Sequence, residues 1–397
     1  MIIKSNRIDG RWFSLLLILS IFFVDAVFRV RSYDDKSLDA QVVLKLLVYF
    51  LIFVSGLLLR KSNGSNFQYY YNKYLLALIM VFALSAFWSP NSAYTLVASF
   101  SLLAYFIFIT SYASSFGTTL LLKNISIALL AFMIVSFIFY LFIPSVGRIS
   151  YWEFDVYVKG GRMSGIAGSA NNLGRISCLG VMLSTYLLMN SSSKLYRLLF
   201  FLSVVSLLLC MNRSSMLMAV VGVCMITYSR RYEQIYALFI SLGVIGLCLL
   251  LIFLDDFLFL ISRSGNIEEI LTFTGRTHIW SVVVDLFYNN PVLGYGYGSS
   301  MFILPKFESA IGFTASHAHN MVLQILLYMG IVGFGLLLIS FLVFFVSKHR
   351  KTKFQLSLIA YVLYNGLLES GAFNGLVNIT TIALFVAYNA RSERECV

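Results

Sequence analysis

Predominantly apolar runs of about 20 residues recur from one end of the chain to the other, and each is long enough to cross the hydrocarbon of a bilayer as a helix. Twelve can be read, at 12–30, 40–59, 74–88, 93–115, 120–143, 172–189, 195–211, 214–228, 235–254, 320–346, 354–369 and 375–390. Together they leave no room in 397 residues for a separate water-soluble domain. With 59% hydrophobic and only 12% charged residues, disorder, a coiled coil and a soluble enzyme are excluded. The expectation is an all-α polytopic membrane protein forming a single integral membrane domain over 1–397, with the first helix retained rather than cleaved as a signal peptide.

Charge orients the spans. Segments on the starting side carry 17 basic residues, among them Arg60, Lys61, Arg230, Arg231, Lys348 and Arg350, against four acidic ones. The other 12 basic residues meet 13 acidic ones. The net charge of +12 is therefore a positive-inside bias, which places both termini in the cytoplasm and removes a nucleic-acid partner from consideration. The five cysteines form no CxxC pair, so neither a disulfide frame nor a thiolate metal site is expected.

Two connections on the far side are long, at 144–171 and 255–319, and all four prolines fall on that side. The larger loop contains a helix near 276–290: apolar residues at 279, 282, 283, 286 and 287 make one stripe, Thr274 is a candidate N-cap and Pro291 ends it. At about 14 residues it is too short to cross, which points to a helix lying along the interface. The run Gly294-Tyr295-Gly296-Tyr297-Gly298 lacks the lysine of a P-loop and reads as a flexible lid or hinge.

Groups able to do chemistry are few and lie on this outer side. His317 and His319 sit in His317-Ala318-His319-Asn320, where the large loop meets the tenth span. A neutral imidazole is the side chain best suited to take a proton near neutral pH, and His319 enters the membrane where a cleft would form. Of the arginines, Arg213 lies between two apolar runs with almost no loop around it. A charge there requires a polar cavity, an anion, or a buried partner such as Glu369 or Asp25. Arg162 and Arg175 flank the outer end of the sixth span, and Arg276 opens the loop helix, where backbone N–H groups already favour an anion. Guanidinium groups bind two phosphate oxygens together. The acidic pairs Asp34-Asp35, Asp255-Asp256 and Glu268-Glu269 include no DxD, so no metal site is expected.

Taken in order, several segments resemble the bacterial O-antigen ligase and polysaccharide polymerase superfamily of membrane glycosyltransferases. They are Gly161-Arg162-Met163-Ser164-Gly165 with Asn171-Asn172-Leu173-Gly174, Asn212-Arg213-Ser214-Ser215, Gly275-Arg276-Thr277-His278-Ile279-Trp280 with Asn290-Pro291-Val292-Leu293-Gly294-Tyr295-Gly296, and His319-Asn320 with Gly330-Ile331-Val332-Gly333. The first 140 residues match only as apolar spans. The resemblance implies a GT-C-like fold of about 12 transmembrane helices in the bacterial inner membrane. It implies transfer of glycan from an undecaprenyl-diphosphate-linked donor to an acceptor hydroxyl at the periplasmic face. No cofactor or metal is implied, and inversion at the anomeric carbon is expected.

On that reading His319 is the base, Arg213, Arg276 and Arg162 bind the diphosphate, and Asn320, His317 and Arg175 are weaker substrate contacts. The acceptor is either another lipid-linked repeat, making an O-antigen or exopolysaccharide polymerase, or lipid A–core, making a ligase. The motifs lean toward the polymerase, for which a chain-length regulator is a possible partner. A lipid-linked oligosaccharide flippase is the competing non-enzymatic reading. It predicts repeats and charges along a central path, whereas here charge gathers at one face.

Overall fold

The computed structural model describes residues 10–28, 39–63, 73–149, 161–228, 275–347 and 351–390. The expected ninth span, 235–254, lies outside them, as do 150–160 and 255–274 of the two outer loops, Cys248 and Cys396. Among the described residues the cysteines are free.

The first five helices are α1 (Gly10–Val24), α2 (Ala40–Asn63), α3 (Lys73–Leu84), α4 (Ser92–Phe116) and α5 (Thr118–Phe142). After a short outer segment come α6 (Ala170–Leu188), α7 (Lys194–Cys210) and α8 (Arg213–Thr227). The second outer segment holds α9 (Arg276–Asn289), and α10 (Met321–Val346), α11 (Lys353–Leu368) and α12 (Ile379–Asn389) complete the described chain. By length and composition, four of these are able to cross a membrane: Ala40–Ser62, Ser92–Phe116, Thr118–Phe142 and Met321–Val346. Several other apolar helices, α1, α8 and α12 among them, are shorter. The chain is thus an all-α membrane protein, and a two-residue ladder pairing Arg148 with Met163 and Ile149 with Arg162 is its small β element.

Two apolar cores organise the helices. The larger joins residues of α1 to α8 with α10, α11 and α12. Within it α4 is central, with 67% of its apolar window buried against 28% for α2. Its buried face carries Thr95, Ser99, Ser101, Thr110 and Ser111, small residues of the kind that let helices approach closely in lipid. The smaller core lies in the outer segment, where Ile279, Val282, Val283 and Leu286 of α9 pack with Ile303, Leu304, Ile311, Ala318 and Leu327. Four of the five stripe positions read from the sequence are therefore buried. However, the stripe is covered by the chain's own loop and by α10, so α9 does not present it to a lipid interface. The N-cap is Gly275, with φ +79°, rather than Thr274.

α10 is not a continuous rod. Gly330 takes φ +57° and ψ −152°, which breaks the helix and frees backbone groups on both sides. The segment that follows α9 supplies their partners. Tyr295 and Gly296 donate their N–H groups to Leu327 O and Tyr328 O at 3.0 and 2.8 Å, and Ile331 N–H reaches Pro291 O at 2.8 Å. Unpaired backbone within a bilayer costs several kcal/mol, so break and loop stabilise each other.

The Gly-Tyr-Gly-Tyr-Gly run is consequently an embedded element rather than the expected lid or hinge. Tyr297 is fully buried, stacks on Phe82 at 4.2 Å and donates its hydroxyl to Gly375 O at 2.5 Å. Its N–H is held by Ser85 Oγ at 2.8 Å and its carbonyl accepts Thr95 Oγ1 at 2.7 Å. This ties the loop to α4, to the turn after α3 and to the buried connection between α11 and α12.

A Cβ at Gly330 would collide with the carbonyl oxygens of Pro291 and Val292, and no L side chain adopts that ψ readily. Gly330→Ala is expected to cost about 2–4 kcal/mol, seen as a lower melting temperature of the detergent-solubilised protein. Gly335→Ala, five residues on with open space at its Cβ, is expected to leave it unchanged or slightly raised.

Candidate active site

One carboxylate gathers several helix ends at one end of the bundle. Glu369 follows the last residue of α11, and its two oxygens face different partners. Oε1 accepts from Arg276 Nη2 at 3.0 Å, and Oε2 is 2.8 Å from His319 Nδ1. Asn171 Nδ2 also approaches Oε1, at 3.4 Å. From Asn171 the network continues, since its side-chain oxygen accepts from Arg162 Nη2 at 3.4 Å and its backbone carbonyl accepts from Asn212 Nδ2 at 3.3 Å. Arg162 is 5% exposed, and its Nε donates to Cys210 O at 2.9 Å, the carbonyl that ends α7.

Local rules place these groups. Ser169 caps α6 by accepting from Asn172 N–H at 3.1 Å, Asn212 caps α8 by accepting from Ser215 N–H at 3.2 Å, and Asn320 caps α10 through Val322 and Leu323 N–H at 3.0 and 3.1 Å. Arg276 is the first residue of α9. Four helix N-termini therefore meet at one network, all contributing positive partial charge. His319 precedes the α10 cap with φ +49°, an uncommon conformation for a residue with a side chain.

The electrostatics keep the carboxyl ionised. Burial alone would raise the Glu369 pKa, but the hydrogen bond and charge of His319, with the fields of Arg276 and Arg175, hold it well below the usual carboxylate range. His317 bonds Ser316 Oγ through Nδ1 at 2.8 Å, and its ring lies 3.9 Å from that of His319. Burial, then His319, push the His317 imidazole down to about 3, with Arg175 and Arg276 adding and Glu369 opposing, so it is neutral at working pH. His317, His319 and Glu369 can each offer one atom to a metal within 4.8 Å of the others. Both carboxylate oxygens are already engaged, and the fields of two arginines oppose a further cation.

Residues 198–338 match the O-antigen ligase family. Over this segment the chain is similar to that family, in agreement with the resemblance carried by its motifs. Neither the curated proteins nor the solved structures give a match. The O-antigen ligase segment contains Arg213, Arg276, His317, His319 and Asn320, whereas Arg162, Asn171, Arg175 and Glu369 are brought to it by the fold.

Of the residues singled out from sequence, His319 and Arg276 meet on Glu369, and Arg162 joins them through Asn171. His317 lies against His319. Arg175 donates to Asn172 Oδ1, and its charge reaches Glu369 and His317. Arg213 is exposed at the start of α8, at the rim beside Asn212 rather than on Glu369. Asn320 has both ends of its amide in use, as the α10 cap and on Leu367 O at 3.2 Å, which gives it a structural job. The sequence offers Glu369 only as a potential partner for Arg213, not as the hub, and places Asn171 and Asn212 in motif segments that give them no role of their own. A carboxylate at the outer end of an apolar run was the available signal.

Both groups have folded pKa values below their ordinary ones, near 6.5 for His317 and 4.5 for Glu369. Their stabilising contributions are therefore complete above those values and are lost as pH falls. Thermal unfolding in detergent is expected to show stability dropping below pH 6.5, and His317→Asn to flatten the stretch between 6.5 and the carboxylate range.

Proposed function

We propose that this protein is a metal-independent, inverting glycosyltransferase that moves glycan from an undecaprenyl-diphosphate donor to an acceptor hydroxyl at the periplasmic face of the bacterial inner membrane. The observation that carries this reading is the convergence of Arg276, Arg162 and His319 on one network at four helix N-termini. Such a site stabilises an anion, and beside it stands one imidazole.

The chemistry follows from these groups. A lipid diphosphate is a good leaving group and needs fixed positive charge on its departing oxygens rather than a general acid. Arg276 and Arg162 supply that charge, with Arg213 at the rim and Arg175 behind. His319 engages Glu369 through Nδ1, leaving Nε2 to take the proton of the acceptor hydroxyl. The hydroxyl oxygen then bonds to the anomeric carbon as the carbon–oxygen bond to phosphate breaks, and the electron pair leaves with the diphosphate. Attack opposite the leaving group inverts the centre.

For the acceptor, the resemblance of the Gly-Arg-Thr-His-Ile-Trp and Gly-Tyr-Gly-Tyr-Gly segments to the polymerase and exopolysaccharide members favours another lipid-linked repeat, making O-antigen or exopolysaccharide polymer. The second reading, transfer of finished polymer to lipid A–core, is favoured by the description of the matched family as O-antigen ligase.

Arg276→Ala and His319→Ala are each expected to lower transfer by about a hundredfold or more while the protein reaches the membrane in normal amounts. Full-length glycan made by either variant would overturn the assignment. Deletion of the protein decides the acceptor on a lipopolysaccharide gel. Core bearing one repeat is expected for a polymerase, and bare core with lipid-linked polymer accumulating for a ligase.

A further inference from the structure

Glu369 stands where two demands conflict. Its Oε1 holds Arg276, the guanidinium that the functional reading assigns to the donor's diphosphate, and its Oε2 holds His319, the base. The side chain is 13% exposed, against 22% for Arg276 and 26% for His319, so the carboxylate is the most enclosed of the three and its partners face outward. An anion therefore already occupies the arginine, inside a ring of helix N-termini that favours negative charge.

We propose that Glu369 holds Arg276 as an internal stand-in for the donor's diphosphate, which displaces it on binding and leaves the carboxylate to His319. The inference rests on the functional reading given above. A diphosphate outcompetes a single carboxylate because it brings more charge and can engage Arg162 and Arg276 together. Once Arg276 turns to the phosphates, the full charge of Glu369 bears on the imidazole, which becomes a stronger base as the acceptor is to be deprotonated. Donor binding and base activation are thereby coupled through one side chain. Glu369 is a positioning residue in this scheme: it touches neither donor nor acceptor and acts through Arg276 and His319.

The scheme predicts effects of opposite sign from one substitution. Glu369→Gln removes the competing charge, so the purified full-length protein should bind inorganic pyrophosphate about fivefold more tightly, and the KM for lipid-linked donor should fall. The same change weakens the base, and kcat should drop about tenfold or more. With Arg276→Ala already present, Glu369→Gln should no longer tighten pyrophosphate binding. Glu369→Asp keeps the buried charge but shortens the arm by one methylene, and should shift both quantities the same way by less. A merely structural role would weaken binding and turnover together.

If wild type binds pyrophosphate and Arg276→Ala weakens it, but neither Glu369 variant tightens it, the stand-in is wrong and the transferase reading survives. If wild type does not bind pyrophosphate and Arg276→Ala changes nothing, the functional reading falls and this inference with it.

Discussion

A single ionised carboxylate at the C-terminal end of α11 holds the site together. Glu369 ties α9 through Arg276 and the start of α10 through His319, and Asn171 extends the link to α6, to Asn212 at the head of α8 and to Arg162. Four helix N-termini and several guanidinium groups would repel one another without a negative charge among them. The carboxylate in turn stays ionised despite its burial because those cations and the His319 hydrogen bond outweigh the cost of desolvation. Fold and electrostatics depend on the same group, so the site and the packing of the outer ends are one problem.

The second constraint is backbone satisfaction away from water. The break at Gly330 divides α10 into two helical stretches, the first of which begins just after His319. The exposed carbonyls of Leu327 and Tyr328 are then taken by Tyr295 and Gly296. Tyr297, buried between Phe82 and the loop after α11, anchors that segment from the other side. The outer segment thus has a core of its own and is also bonded into the bundle, which suits a surface that must hold arginine and histidine in fixed relation to substrate.

Much of the site was legible one residue at a time. His319, Arg276 and Arg162 stand out because ionisable groups at a membrane face are rare and the chemistry needs a base and cations. The stripe of α9 was readable from its spacing. Other features were not. The Gly-rich run reads as mobile because glycine permits mobility, yet Gly294 is what allows close approach to α10, and Gly296 and Gly298 allow it to Ser89 and Tyr94. Asn320 reads as a polar group beside a histidine, but an asparagine before a helix is first a cap.

Composition and hydropathy by themselves determined that this is an all-α membrane protein, and charge set the expected orientation, because transfer of each segment into hydrocarbon is a local sum over its residues. Which polar groups share a pocket is not such a sum. Residues 162, 171, 276, 319 and 369 come from four separate parts of the chain, and each is compatible with many partners. Only the packed helices, by fixing distances of 3.0 and 2.8 Å across 93 and 50 positions of sequence, decided that Glu369 would answer both Arg276 and His319.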